Sequence, residues 1–151
     1  MAQSLVKIYL HIIFSTKNRE NTLPTSLLGE IHSYMAGAIK NCGCMPILVG
    51  GTSNHVHILC ELTNNMSVSE LIRQIKTSSS KWIKGKSEQR GDFAWQGGYA
   101  VFSVSQSNVD AVTSYIANQE QHHHKRTFEE ELLGFLSKYK IEYDERHIWT
   151  T

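Results

Sequence analysis

Residues Val6 to Ser15 alternate without a break: Val6, Ile8, Leu10, Ile12 and Phe14 fall on one side, and Lys7, Tyr9, His11, Ile13 and Ser15 on the other. A period of two over this length specifies a strand with one apolar face and one largely polar face. The same period returns in His55-Val56-His57-Ile58-Leu59-Cys60. There Val56, Ile58 and Cys60 share the apolar side, while His55 and His57 point together to the other. Two imidazoles on one face of a strand can reach one divalent ion. They can equally serve ordinary hydrogen bonding, since each ring carries one donor and one acceptor.

Between and after these strands the period changes. Leu27, Leu28, Ile31, Tyr34, Met35, Ala38 and Ile39 recur at helical spacing, from near Pro24 to Gly43. Met45 to Val49 reads as a second strand, and Gly50 to Asn54 as the turn of a hairpin into a third strand, His55 to Leu62. Ser67-Val68-Ser69-Glu70 fits a capping box and opens a helix with Val68, Leu71, Ile72, Ile75 and Trp82 on its apolar side. A polar loop, Gly85 to Asp92, precedes a fourth strand, Tyr99 to Ser105, whose apolar side carries Ala100, Phe102 and Val104. A third helix is expected from about Asn108 to Gln121. Thr127-Phe128-Glu129-Glu130 caps a fourth, with Phe128, Leu132, Phe135, Leu136 and Tyr139 in its apolar repeat. The tail from Lys140 shows no period.

This order is α+β: a ferredoxin-like βαββαβ sandwich with an antiparallel sheet and additional C-terminal helices. Two helices should cover one face, leaving the other for a ligand or an added helix. His55 and His57 would lie on that second face, with His11 nearby. At 151 residues a single domain is expected, its core about 5–121 and a helical extension about 122–151.

Composition narrows the surroundings. The formal net charge is only +1, so any nucleic-acid surface must be a local patch. Arg73, Lys76, Lys81, Lys84, Lys86 and Arg90 form one such excess, which is also what a solvated helix face looks like. Lys7, Lys17, Arg19, Lys125 and Arg126 are secondary candidates. Cys42, Cys44 and Cys60 form neither a disulfide framework nor a paired zinc pattern. With no targeting segment and no span long enough for a membrane, a reducing, cytoplasmic setting is expected.

On the third helix, Tyr115 and Gln119 are four residues apart and so share a face. They sit at the shoulder of the Val109, Val112 and Ile116 stripe, where a phenol and an amide oxygen could be aimed at a site on the sheet. Tyr143, in the aperiodic tail, is a weaker candidate. His122-His123-His124 points three ways around a helix; His122 shares the side of Tyr115, though exposed polar runs at helix ends are usually solvated.

His55-Val56-His57 resembles the His-hydrophobe-His motif of the HUH endonucleases. Tyr115 followed by Gln119 resembles the nucleophile helix of their single-tyrosine transposases, the insertion sequence 200/605 group, to which the REP-associated tyrosine transposases are related. The likeness runs from about Val6 to Gln121 and includes His11-Ile12-Ile13-Phe14-Ser15-Thr16-Lys17 and Trp95-Gln96-Gly97-Gly98-Tyr99. It implies a transposase that cleaves and rejoins single-stranded or hairpin DNA through a 5′-phosphotyrosine intermediate on Tyr115. His55, His57 and Gln119 would hold Mg²⁺ or Mn²⁺, with His11 and His122 behind them. By analogy with the family it also implies a homodimer with composite active sites. A phenol, with an ordinary pKa near 10, attacks poorly at neutral pH unless a cation stabilises its anion and polarises the phosphate. Two other classes stay open on the residues: a non-catalytic ferredoxin-like nucleic-acid-binding module, and a metal phosphoesterase that uses water.

Overall fold

The computed structural model describes residues 2–86, 90–123 and 125–149, apart from the side chain of His122. Strands β1 (Tyr9–Ser15), β2 (Met45–Thr52), β3 (His55–Glu61) and β4 (Ala100–Val104) form one sheet in the order β2-β3-β1-β4. Every neighbouring pair is antiparallel. Helices α1 (Leu28–Asn41) and α2 (Val68–Lys84) follow β1 and β3, and α3 (Val109–Ala117), α4 (Gln119–His123) and α5 (Phe128–Lys138) follow β4. The ferredoxin-like α+β sandwich and its additional C-terminal helices are as expected from the order of periods.

The first apolar layer is the one the alternation specifies. Leu10, Ile12 and Phe14 of β1 and Val56, Ile58 and Cys60 of β3 meet Ile31, Met35 and Ile39 of α1 and Leu71, Ile72 and Ile75 of α2. Ser67 accepts a hydrogen bond from the Glu70 backbone N–H and so caps α2. Trp82, expected on the apolar side, is half-buried and stacks on Tyr34, their ring centroids 5.0 Å apart.

Several boundaries differ from the expectation, each for a physical reason. β1 begins at Tyr9 rather than Val6, because Tyr9 already pairs with the last residue of both neighbouring strands, Glu61 and Val104. Val6 and Ile8 are left exposed. The expected third helix is broken at Asn118, which leaves helical geometry at φ −106°, ψ 25°. The tail does dock: Ile148 and Trp149 pack against the α5 cluster, and the Arg19 guanidinium lies 4.8 Å from the centre of the Trp149 ring. Part of the polar loop after α2, residues 87–89, lies outside the described residues.

The second face of the sheet is covered, not open. On β4 the apolar residues Phe102 and Val104 face this side, since Phe102 pairs with His11 and Val104 with Tyr9. Ile13 and Phe102 pack under Phe128, Leu132 and Leu136 of α5. Leu59 and Val104 pack under Ile116, with Val109 and Val112 of α3 against them. The three histidines lie between these two small cores. Among the described residues no helix is long and apolar enough to cross a membrane.

Gly50 sets how closely α3 can approach. It pairs with His57 across the hairpin, and a β-carbon built there would stand 2.8 Å from Ile116 Cγ2 and 3.0 Å from the Ile116 carbonyl oxygen. The second of these is backbone and cannot step aside. Gly51, at φ 151°, turns the chain where a side chain would collide with the His55 carbonyl. Gly50→Val is therefore expected to push α3, with Tyr115, off the sheet. The expected result is a melting temperature lowered by several degrees, consistent with overpacking of about 1–3 kcal/mol. The Tyr115 ring resonances should move at the same time; unchanged resonances would show that α3 is positioned by something else.

Candidate active site

Strand geometry delivers the first three side chains. His55 and His57 project from β3, and His11 from the neighbouring β1, all toward α3 and α5. The break at Asn118 turns the chain so that Gln119 starts a new helix and drops its amide onto the pair. His55, His57, His11, Gln119 and Glu131 are each no more than 2% exposed, as buried as the apolar core. Polar groups so deep must find partners, and these find one another.

His57 Nε2 is 2.9 Å from Glu131 Oε1, and its Nδ1 is 2.8 Å from His11 Nε2. His55 Nε2 is 2.9 Å from Gln119 Oε1 and 3.7 Å from Glu131 Oε1. The other nitrogen of His55 is held by Asn54 Oδ1 at 2.8 Å and Thr52 Oγ1 at 3.0 Å. Tyr115 donates its phenol hydrogen to Glu131 Oε2, and Gln119 Nε2 donates to the same oxygen at 3.3 Å. The two carboxylate oxygens thus divide the site: one faces the imidazoles, the other the phenol. His123 joins from α4, its Nε2 3.2 Å from Gln119 Oε1 and 3.3 Å from Glu131 Oε1. Arg126 Nη2 donates to the Tyr115 oxygen at 3.3 Å.

Burial dominates the titration of the cluster. It pushes His11 down to about 3, aided by His57, against the pull of Glu131. It pushes His55 down to about 3 as well, with His57 acting in the same direction and the Gln119 hydrogen bond opposing it. Both rings are therefore neutral at pH 7 and keep a lone pair for coordination. Burial opposes ionisation of Glu131, but the hydrogen bonds from His123, His57 and Tyr115 outweigh it and hold the carboxyl well below the usual range. Burial and then the Glu131 carboxylate raise the Tyr115 phenol above its ordinary value, with Arg126 opposing.

The donor set suits a divalent cation. His55, His57 and Glu131 each offer one ligand atom, all within 4.8 Å of one another. Donors sharing an ion at about 2.1 Å stand about 3.0–3.4 Å apart when adjacent; His57 to Glu131 is 2.9 Å, His55 to Gln119 2.9 Å and His55 to Glu131 3.7 Å. Two imidazoles, a carboxylate and a neighbouring amide oxygen make a mixed nitrogen and oxygen donor set of the kind that holds divalent metal ions.

Residues 4–119 match the family described as Transposase IS200 like. The chain belongs to the IS200-like transposase family. As a transposase its work is DNA recombination. Two solved structures share the fold. One is a Deinococcus radiodurans R1 protein provisionally described as a transposase, with TM-score 0.61 and 20% identity over 79% of this chain and 98% of that one. The other is a REP-associated tyrosine transposase bound to a REP hairpin, with TM-score 0.56 and 13% identity over 85% of this chain and 74% of that one. No match was found among the curated proteins.

The structure brings together His11, His55, His57, Tyr115 and Gln119; His122 has its side chain outside the described residues. The basic residues of α2 stand elsewhere, on the layer across the sheet. Arg73 is paired with Glu70 at 2.5 Å. Lys76 donates to the Gln96 and Gly98 carbonyls at 2.9 and 2.7 Å and is lowered to about 8 by burial. Lys81, Lys84 and Lys86 are exposed, and Arg90 is half-buried. Glu131 and His123 were missed. Glu131 follows two glutamates at a helix start, where acids ordinarily complement the helix dipole. The signal was its phase: Phe128, Glu131, Leu132, Phe135 and Leu136 make one apolar stripe, and a carboxylate within it requires a buried partner.

The buried imidazoles make acid sensitivity a direct test. In the unfolded chain they titrate near 6.5; in the fold His11 and His55 stay neutral down to about 3 and His32 to about 4. Between these values the unfolded state binds more protons, so stability rises with pH and is lost as acid is added. Urea denaturation of the metal-free transposase should show stability falling from pH 7 to pH 5, on the order of 2 kcal/mol per buried imidazole. His11→Gln should show a smaller fall. Equal stability of the wild type at both pH values would contradict this titration.

Proposed function

We propose that this transposase cuts and rejoins single-stranded DNA through a 5′-phosphotyrosine bond made by Tyr115, beside a divalent ion held by His55, His57, Gln119 and Glu131. One observation carries the proposal: Glu131 is shared between His57 and the Tyr115 phenol. A nucleophile and a set of metal donors meeting at one buried carboxylate form an arrangement that phosphoryl transfer by a phenol can use. The ion, when bound, polarises the phosphoryl oxygen and offsets the charge that builds on it.

The chain's own groups supply the rest. Asn54 Oδ1 accepts from His55 Nδ1 in the tautomer that would leave Nε2 as the ligand atom. His11 fixes the ring of His57 through Nδ1 in the same way. Glu131 Oε2 holds the phenol hydrogen and is placed to take the proton as the Tyr115 Oη–phosphorus bond forms. The phosphorus–O3′ bond breaks, and the 3′-oxygen leaves as a hydroxyl by taking a proton from solvent water. The covalent bond keeps the phosphodiester energy for rejoining. Arg126, beside the phenol oxygen, is the nearest cation for the phosphate.

The same-chain contact between Tyr115 and Glu131 supports action of the tyrosine on its own histidines, within one domain and without an exchanged helix. Exposed Lys81, Lys84 and Lys86 serve at most a more distant stretch of DNA. The aromatic-lined sheet expected of a binding module is replaced by buried imidazoles, which favours the enzyme over that alternative.

Incubated with Mn²⁺ and end-labelled single strands from the DNA flanking its gene, the wild type should form a denaturant-stable protein–DNA adduct. Tyr115→Phe should form none, and His57→Ala should lose the adduct while still binding DNA. An undiminished adduct with Tyr115→Phe would overturn the assignment of the nucleophile; continued cleavage without an adduct would indicate attack by water. For the ligand set, calorimetry with Mn²⁺ should find at least about tenfold weaker binding in Glu131→Gln than in the wild type. Equal affinities would remove Glu131 from that set.

A further inference from the structure

A cleft of about 410 Å³ opens between α3 and α5; Tyr115, Glu131 and Arg126 stand in its lining, and the rest of it takes no part in the proposed chemistry. Its two walls are single helical stripes. From α3 and the residue just before it come Asn108, Ala111, Val112 and Tyr115; from α5 come Glu131, Gly134, Phe135 and Lys138. Residues at this spacing share one face of a helix, so each helix presents one side to the sheet core and another to the cleft. Phe102 anchors the aromatic end: Phe135 stacks on it at 5.4 Å between centroids and Tyr139 at 4.6 Å. These rings are held in place whether or not anything enters. Tyr139 is nonetheless 37% exposed, an aromatic edge turned to solvent.

Charge is arranged around the mouth. Arg126 reaches from the Tyr115 hydroxyl toward Gly134; its Nη1 is 3.7 Å from where a Gly134 β-carbon would stand. Lys138 lines the same mouth one turn further on. Inside, the polar groups are Asn108, whose amide offers one donor group and one acceptor, and His11, Tyr115 and Glu131, which are bonded to one another or to His57. A flat, apolar-faced, hydrogen-bonding group attached to an anion fits such a cleft. An unstacked nucleobase on its sugar-phosphate is that group, and stacking on fixed aromatic rings contributes about 1–3 kcal/mol per base.

We propose that the α3–α5 cleft receives the unstacked base of the nucleotide adjoining the phosphate at Tyr115, with Arg126 and Lys138 on its sugar-phosphate. The cleft would then select the cleavage position by one base. The role rests on the strand-cleavage reading above. The ability to bind a base does not, and the two can be tested apart.

Gly134 gives the cleanest variant. It faces the cleft from inside a helix, where a β-carbon meets nothing closer than the end of the Arg126 side chain. Gly134→Leu fills the space with a residue that favours helix. Ala111→Leu does the same from the opposite wall. The metal-free wild type is titrated with dAMP, dGMP, dCMP and TMP, and with deoxyribose 5-phosphate, while the Phe135, Tyr139 and Ala111 resonances are followed. At least one nucleotide should shift all three, with deoxyribose 5-phosphate shifting none of them. Both leucine variants should weaken that nucleotide at least tenfold. The base site is overturned if no nucleotide moves these resonances, if the sugar phosphate moves them equally, or if both folded variants bind nucleotide as the wild type does. Separately, covalent capture of a random single-stranded pool with Mn²⁺ should enrich one base beside the junction, and Gly134→Leu should lose that enrichment. Capture with no base preference in the wild type would also overturn selection by the cleft. Absence of any adduct would sink the cleavage reading alone, because the titration decides the base site by itself.

Discussion

The arrangement depends on one buried carboxylate. Glu131 sits under α5 with both oxygens occupied, one by imidazoles and one by a phenol. A charge at that depth is tolerable only because its partners surround it; removing one side of such a group costs on the order of 3–5 kcal/mol. The same contacts that make the carboxylate stable hold the proposed nucleophile beside the proposed ligands. Packing and chemistry are therefore fastened by one residue. The position of Tyr115 is a consequence of satisfying Glu131 as well as of the helix that carries it.

That residue comes from outside the matched family segment, which ends at Gln119. The family segment supplies the sheet, the imidazole pair, the phenol and the amide. The chain beyond it supplies the carboxylate, His123 and Arg126. The capping box at Thr127, with Thr127 and Glu130 each bonded to the other's backbone, fixes where α5 begins. One residue later in the start of that helix would rotate Glu131 by about 100° off the site.

What the sequence made legible follows from which interactions are local. Alternation in β1 and β3 gave the strands, the shared face of His55 and His57, and the layer of α1 and α2, because a strand's two faces are set by its own residues. The four-residue spacing of Tyr115 and Gln119 survived the break at Asn118, since the chain resumes a helix at once. What was not legible was what covers the second face. Ile13 and Phe102 sit there as ordinary apolar residues, and only the third dimension shows α3 and α5 closing over them. The placement of the basic run of α2 was illegible for the same reason. Charge density along a helix says nothing about which side of the sheet the helix occupies, and Lys76 spends its charge on two backbone carbonyls.

The two helices that close the second face also explain why the site has an opening where it does. α3 is drawn down to β2 because Gly50 offers no side chain. α5 is drawn down over Ile13 and Phe102 by Phe128, Leu132 and Leu136. Each helix is thus fixed by contacts on its sheet-facing side, and the gap between them is left to the residues on their flanks. Those flanks begin at the proposed catalytic pair, Tyr115 and Glu131, and continue outward to Ala111 and Asn108 on one helix and to Phe135 and Lys138 on the other. Under the proposed chemistry, the nucleotide next to a phosphate at Tyr115 lies along these two stripes. The geometry that buries the chemistry also decides which surface meets the substrate next.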